Sequence, residues 1–372
     1  MFIQFTSNEG NISSGSRHMA FKELGSEFWI VKNSFSEKDK KYVLAGRTAI
    51  DLIIQDMIAC GGKHKSVCLP AYCCESMLQP FIDRGIDIQF YDVTYEKGEL
   101  KYYFNDQTAD ILYVSNYFGY NNTLPVSIVR DYKLKGVTVL YDRTHSLFSD
   151  DHFHREMADY CFASIRKWMG VPCGAYFSKN KGNFSLAKLE DCPYLKEKVE
   201  AMQMKAAYMR GDNSVEKQQF LKLYGNFAHH LSEDYRNYGM DGLSLQIWQD
   251  TDLQELRTKR NANAAYLQNN LKEIPQIKLM FSLTENDCAL FVPVLFATKN
   301  VRDDVRKYLI NHSIYCPVHW PKPSLIPSAM RANDLYDREL SLLCDQRYGI
   351  EDMQRIVDTI KEYFEIKKYR QI

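Results

Sequence analysis

From residue 46 to residue 179 the chain repeats one alternation, a segment with apolar positions at helical spacing followed by a short apolar run. "GRTAIDLIIQDMIACGG" reads as a helix that closes on two glycines. "SVCLPAY", "DIQFYDV", "DILYVSNYF" and "VTVLYD" then read as strands, with "CESMLQPFIDRG" and "PVSIVRDYKLKG" as helices between them. Parallel strands need long crossovers, and a helix is the usual one, so the pattern predicts an α/β unit. Its sheet is mostly parallel and covered on both faces by helices.

After "YCFASI" and "CGAYFSK" the texture changes to long charged helical segments. A closing block then joins one strong strand, "CALFVPVLF", to the helices "VRDDVRKYLINH" and "GIEDMQRIVDTIKEYFEIKK". The expected organisation is an arm over 1–35 with one apolar knot, "SEFWI", a large three-layer α/β/α domain over 36–235, and a smaller α+β domain over 236–372.

Composition limits what such a fold can serve. With 47 basic and 47 acidic residues and no long single-sign block, neither nucleic acid nor an anionic membrane is an expected partner, and a small-molecule substrate is. No apolar run approaches the roughly 18 residues that cross a bilayer, and the polar N-terminus lacks a signal-peptide core, so the expected compartment is the cytoplasm. The ten cysteines, among them Cys68, Cys161, Cys288 and the pair Cys73-Cys74, do not suggest a disulfide ladder. His152 and His154 read as a solvated loop, and no metal is expected.

One stretch breaks the strand pattern. In "ADYCFASIRKWMGVPCGAYFSK", Ser164, Arg166 and Lys167 stand where a buried sheet should continue, and an unpaired buried ammonium is costly. In a parallel sheet ligands collect at the carboxyl ends of strands, and other runs end in polar groups too: Asp142 with His145 three residues on, Asn116, and Tyr72. Gly46, Arg47, Thr48 and Ala49 open the first helix, whose N-terminus suits a phosphate. A phosphate cradle, an acid, an aromatic plate and a lysine together match pyridoxal phosphate: its aldehyde joins a lysine, its ring nitrogen needs a carboxylate, and its flat ring stacks.

The motifs "GRTAIDL", "LPAYCCESM", "SNYFGY", "LYDRTHSL", "ASIRKW" and "CGAYFS", followed by "RTKRNANAAYLQNNL", "YCPVHWP" and "LCDQRYGIEDMQRI", resemble the DegT/DnrJ/StrS family of sugar aminotransferases within the fold-type-I pyridoxal-phosphate enzymes. The resemblance implies Lys167 as the Schiff-base lysine, Ser164 as a phosphate ligand and Asp142 at the pyridine nitrogen. It implies His145 and Asn116 near the ring and its phenolic oxygen, Tyr72 stacked on the ring, and Gly46, Thr48 and Ala49 at the phosphate. Trp168 and His319 become candidates for the substrate side, with Trp168 narrowing it.

The implied reaction moves an amino group from a donor such as glutamate to a nucleotide-linked keto-sugar, in surface polysaccharide or amino-sugar biosynthesis, by a homodimer. The chain departs from the family's pattern in three places. Fewer residues separate Ser164 from Lys167, Gly174 stands alone where a double glycine is usual, and the Gly-x-Asn-x-Arg segment is not recognisable, "RNYGMDGLS" being the nearest stretch. Two alternatives stay open: another pyridoxal-phosphate enzyme on a small amino acid or sugar, and a non-catalytic protein that kept the fold.

Overall fold

The computed structural model describes residues 24–25, 40–62, 64–104, 109–120, 124–150, 153, 157–185 and 188–369. "SEFWI", His152 and His154 lie outside these residues, as does the rest of the expected arm apart from Leu24 and Gly25, which pair in parallel with Ile314 and Tyr315.

Eight strands form the large sheet: β1 (Lys41–Val43), β2 (Ser66–Pro70), β3 (Asp87–Glu96), β4 (Glu99–Tyr103), β5 (Ile111–Ser115), β6 (Thr138–Asp142), β7 (Tyr160–Ser164) and β8 (Ala175–Lys179). Their spatial order is β1-β8-β7-β6-β5-β2-β3-β4. The inner run β7-β6-β5-β2-β3 is parallel, and the pairs at either edge are antiparallel. Every residue of β5 and β7 is buried, as continuous apolar runs in a doubly covered sheet should be. Helix α1 (Gly46–Ala59) packs on β7 and β8, α2 (Glu75–Asp83) on β3, and α3 (Val126–Leu134) on β6.

Two long helices, α4 (Leu195–Met209) and α5 (Lys217–Glu233), pack on each other. They are followed by α6 (Gly242–Gln249) and α7 (Leu253–Leu271). A second, three-stranded antiparallel sheet contains β9 (Lys278–Leu279), β10 (Phe291–Leu295) and β11 (Glu339–Leu343), with β10 central. Helices α8 (Lys299–Asn311) and α9 (Asn333–Arg338) lie between β10 and β11, and α10 (Ile350–Tyr369) closes the chain against α7 and α8. Among the described residues no helix is long and apolar enough to cross a membrane.

Register sets the site. Ser115 of β5 pairs with Asp142 of β6, and Asp142 with Phe162 of β7, so three polar strand ends finish on one edge of the sheet.

Candidate active site

Asp142 is the last residue of β6, and its buried carboxylate is held from two sides: Thr144 N–H donates to Oδ1 at 2.7 Å and Tyr113 O–H to Oδ2 at 2.8 Å. Burial raises its pKa, against the pull of these donors and of the Lys167 cation. The loop leaving β6 is tied to the loop leaving β7. Thr144 Oγ1 accepts from Ser164 N–H at 3.1 Å, and Thr144 O accepts from Trp168 Nε1–H at 2.6 Å. Ile165 to Lys167 then make a single 3₁₀ turn. Gly174 O accepts from Ile165 N–H at 3.0 Å, and Gly174 has φ of 140°, with Met240 Cε 2.8 Å from where a Cβ would stand. A lone glycine at this place is thus required by the turn that carries the lysine.

His145 is buried, and its Nδ1 accepts from Phe118 N–H at 3.2 Å, which leaves Nε2 as the protonated, donating nitrogen. Burial and the neighbouring Lys167 cation lower its pKa to about 3, so the ring is neutral. The Phe118 amide reaches it because the chain turns through two left-handed residues, Phe118 at φ 60° and Gly119 at φ 89°. A Cβ on Gly119 would strike Cys288 O at 2.0 Å.

These groups line a cavity of about 290 Å³ together with Gly46, Arg47, Asn116, Ser164, Arg166, Lys198 and Trp320. Helix α1 enters it without a side-chain cap, and a Cβ on Gly46 would stand 3.7 Å from Ser164 Cβ, so the helix N-terminus and Ser164 are neighbours. Around them gather Arg47, which donates to Leu231 O at 3.0 Å, and Arg166 and Lys198, which flank the Phe227 ring at 5.9 and 5.5 Å. Burial and the like charge of Arg166 lower the Arg47 pKa. Asp142 is the one carboxylate among the lining residues, and it stands at the strand end. The arrangement fits pyridoxal phosphate: a dianion at the cationic helix N-terminus, a pyridinium at Asp142, an aldehyde at Lys167 and a flat ring between side chains.

A second cavity of about 430 Å³ shares Arg166 and Lys167 with the first, and is otherwise lined by Arg260, Arg306, Tyr315, His319 and Arg347 among others. Its carboxylate, Asp345, is held by Arg347 through two bonds of 2.7 and 2.8 Å.

The structure brings Gly46, Asn116, Asp142, His145, Ser164 and Lys167 to the first cavity and His319 to the second, and it departs from the sequence reading elsewhere. Lys167 is exposed rather than buried, since the turn lifts it out of the sheet. The Ala49 amide is spent on Ala45 O at 3.0 Å and the Thr48 hydroxyl on Tyr235 O at 2.7 Å, so neither of these two groups is available to a phosphate; the lining residues of α1 are Gly46, Arg47 and Ile50. Tyr72 is a core residue in contact with the Tyr117, Trp320 and Tyr336 rings; it stands behind Trp320 and is not itself a lining residue. Trp168 does not narrow the substrate side. Its buried indole lies under the Arg260 guanidinium at 4.6 Å and beside Phe148.

The flat wall at the cavity is instead Trp320, 5.4 Å from the His145 ring, and it follows His319 directly in "YCPVHWP". The sequence assigns Arg47 and Arg166 no role as side chains and does not single out Lys198 at all. Only their convergence in space marks them, although Arg166 adjoins the lysine in sequence.

The large, mostly parallel sheet covered by helices on both faces is the fold of solved sugar aminotransferases. Residues 237–361, about a third of the chain, match the model of the DegT/DnrJ/EryC1/StrS aminotransferase family, the family that the motifs resemble. The match begins at Asn237, inside "RNYGMDGLS"; Asn237 has φ of 58° and accepts from Gln55 Nε2–H at 2.9 Å.

Solved structures share the fold at low identity. One is PseC of Helicobacter pylori, an aminotransferase involved in the biosynthesis of pseudoaminic acid, at 13% identity over 92% of this chain and 100% of that one, with a TM-score of 0.62. Another is the putative sugar aminotransferase Spr1654 of Streptococcus pneumoniae in its PLP form, at 12% identity, 91% and 98% coverage and a TM-score of 0.59. A DegT DnrJ EryC1 StrS aminotransferase from Brucella abortus gives 13%, 88%, 86% and 0.59. No curated protein matches the chain in sequence.

Proposed function

We propose that this aminotransferase moves an amino group from an amino-acid donor, glutamate by preference, to the ketone of a sugar carried on a nucleotide. The observation that carries the reading is the position of Lys167, exposed on a turn where two cavities meet. One cavity has the groups for the cofactor. The other is lined by four arginines, which suits the carboxylates of a donor and the diphosphate of an acceptor.

Pyridoxal phosphate, when bound, supplies an aldehyde that links to an amine and a ring that takes up the electron pair left when a Cα–H bond breaks. Lys167 would hold the aldehyde as its covalent anchor, and its amine, when free, would carry a proton to and from the substrate carbon. Asp142 keeps the ring nitrogen protonated. His145 would offer its Nε2–H to an oxygen of the bound ring, and Trp320 would form the flat wall that keeps water out. Ser164, the α1 amides, Arg47 and Arg166 hold the phosphate. The solved sugar aminotransferases of the same fold support a sugar acceptor, and C2 dimers are the commonest homo-oligomers, so a homodimer acting in the cytoplasm completes the reading.

The test is reductive trapping. Borohydride added to the holoprotein should fix the cofactor on the peptide that contains Lys167, and prior addition of glutamate should remove both the visible band and the trapping. Label on another lysine, or a band indifferent to every amino donor, would overturn the assignment. Light scattering at micromolar concentration tests the dimer.

A further inference from the structure

On the second cavity's wall the small sheet carries a polar chain that the proposed reaction does not yet use. Strand β11 is buried along its whole length, and its alternation puts Glu339 and Ser341 on one face and Leu340 and Leu342 on the other. Ser341 N–H donates to Pro317 O at 3.0 Å, which brings the 317–320 segment alongside that polar face. There Glu339 Oε2 accepts from His319 N–H at 2.7 Å, Glu339 Oε1 is hydrogen-bonded to Ser341 Oγ, and Ser341 Oγ is 2.7 Å from His319 Nδ1. All three residues are buried, and His319 lines the cavity with Lys167. Among the described residues no hydrogen bond is made at His319 Nε2, the ring edge away from Ser341.

We propose that Glu339, Ser341 and His319 form a proton relay on the substrate side of Lys167, in which His319 meets the substrate and Glu339 is the terminal proton store. The proposal rests on the aminotransferase reading, which requires protons to enter and leave the substrate's amine and oxygen.

The direction of each bond follows from one fixed contact. Because Oε2 always accepts from the His319 amide, only Oε1 can change its role. When Glu339 is ionised, Oε1 accepts from Ser341 O–H, Ser341 accepts from Nδ1–H, and Nε2 offers a lone pair to the cavity. When Glu339 is protonated, Oε1–H donates to Ser341, Ser341 donates to Nδ1, and Nε2–H donates to the cavity. A proton taken up at Nε2 therefore releases the one on Nδ1 to Ser341 Oγ, whose own proton passes to Glu339 Oε1. One proton enters and one is stored, and the imidazole and the hydroxyl both end neutral.

The surroundings support this division of roles. Burial, with the like-charge influence of His145 and Lys167, holds the His319 pKa well below its ordinary value, so the ring passes a proton on and does not keep it. Burial pushes Glu339 up to about 8, near working pH, against the pull of its hydrogen bonds and of Arg302. The Arg302 guanidinium is spent on Asp303 Oδ1 at 2.7 Å and on the carbonyls of Tyr336 and Glu339, at 3.1 and 2.8 Å, while Tyr72 and Cys316 also face the carboxyl.

Nitrogen NMR of the ¹⁵N-histidine-labelled holoprotein, with His319 assigned by its loss in His319→Gln, reads the tautomer directly. In the wild type His319 should change from Nε2–H to Nδ1–H as pH rises through about 8. In Glu339→Gln the amide oxygen must face the His319 N–H, so its NH₂ donates to Ser341 and the ring should stay Nε2–H throughout. Ser341→Ala should abolish the switch and slow the half-reaction by about 10²-fold, with recovery in Ser341→Thr. One unchanging tautomer in the wild type, or the same switch in Glu339→Gln, overturns the relay. The wild-type spectrum decides even if a variant fails to fold. Lys167 trapped without a switch refutes the relay alone, whereas a switch with no trapping at Lys167 refutes the aminotransferase reading alone.

Discussion

Two buried carboxylates, Asp142 lining the first cavity and Glu339 bonded to the His319 amide, are compensated in different ways. Asp142, at the end of β6, accepts from a backbone amide and a tyrosine and feels the Lys167 cation across an open cavity. Glu339, on β11, is held by a backbone amide and a serine, and the Arg302 guanidinium is bound to Asp303 and to carbonyls instead. Burial raises both pKa values, but only Asp142 opens onto a space where a cation can be brought to it. The comparison teaches that one site can hold one acid for a ligand's positive charge and another for a proton, the difference lying in what each carboxylate faces.

The largest effect is expected from removing the charge of Asp142 while keeping its shape. Asp142→Asn should leave the cofactor bound yet slow the donor half-reaction by roughly 10²–10³-fold, because a fixed charge aimed at the reacting ring is lost. Stopped-flow spectra with glutamate measure it, and an unchanged rate would reduce Asp142 to a structural cap. A smaller effect is expected at the phosphate end. Arg166→Ala should weaken cofactor binding by about 10–100-fold, the worth of one charge-assisted hydrogen bond, as read by absorbance titration. Equal affinity in the variant would show that the α1 N-terminus, Ser164 and the remaining cations suffice.

A third test sharpens the contrast through pH. Glu339 has a folded pKa of about 8, above its ordinary unfolded value near 4.5, so the folded chain binds more protons than the unfolded one in that window and stability falls as pH rises through it. His145, with a folded value of about 3 against 6.5, works the other way and adds stability as pH rises from about 3 to 6.5. Above pH 6.5 His145 is neutral in both states. Between pH 6.5 and 8 the cofactor-free wild type should therefore lose stability relative to Glu339→Gln, by up to about 1.4 kcal/mol per pH unit. Urea unfolding at four pH values gives the difference, and parallel curves would mean that Glu339 keeps an ordinary pKa.

The same two regions differ in how far the sequence discloses them. The β6 and β7 ends were legible because a parallel sheet collects ligands at its strand ends, so an acid after "VTVLY" and a lysine after "YCFASI" read as functional. The relay was not legible. "ELSLL" is short, its glutamate and serine look like surface residues at i and i+2, and only the burial of every residue in the folded chain shows that both faces are covered. Tyr72 and Trp320 show the same limit in reverse. Both are aromatic residues close to polar motifs, and which of them faces the cavity depends on how segment 317–320 lies against the strand-end loops, a contact between residues about 250 positions apart.

Trp168 gives the smallest effect and the cleanest separation of packing from chemistry. Its position next to Lys167 suggests a specificity residue, yet its indole is buried, donates to Thr144 O and lies under Arg260. Trp168→Phe keeps a ring of similar placement and loses one hydrogen bond, with part of a cation–π contact, so it should cost about 1–2 kcal/mol of stability. Preference among keto-sugar acceptors should not change, because no part of the indole borders either cavity. Trp320→Phe is the control, since that ring does line the first cavity and should alter acceptor KM more than stability. If instead Trp168→Phe shifts acceptor preference while unfolding as the wild type does, the indole leaves its bed beside Phe148 when substrate binds, and the wall behind Lys167 is a moving part.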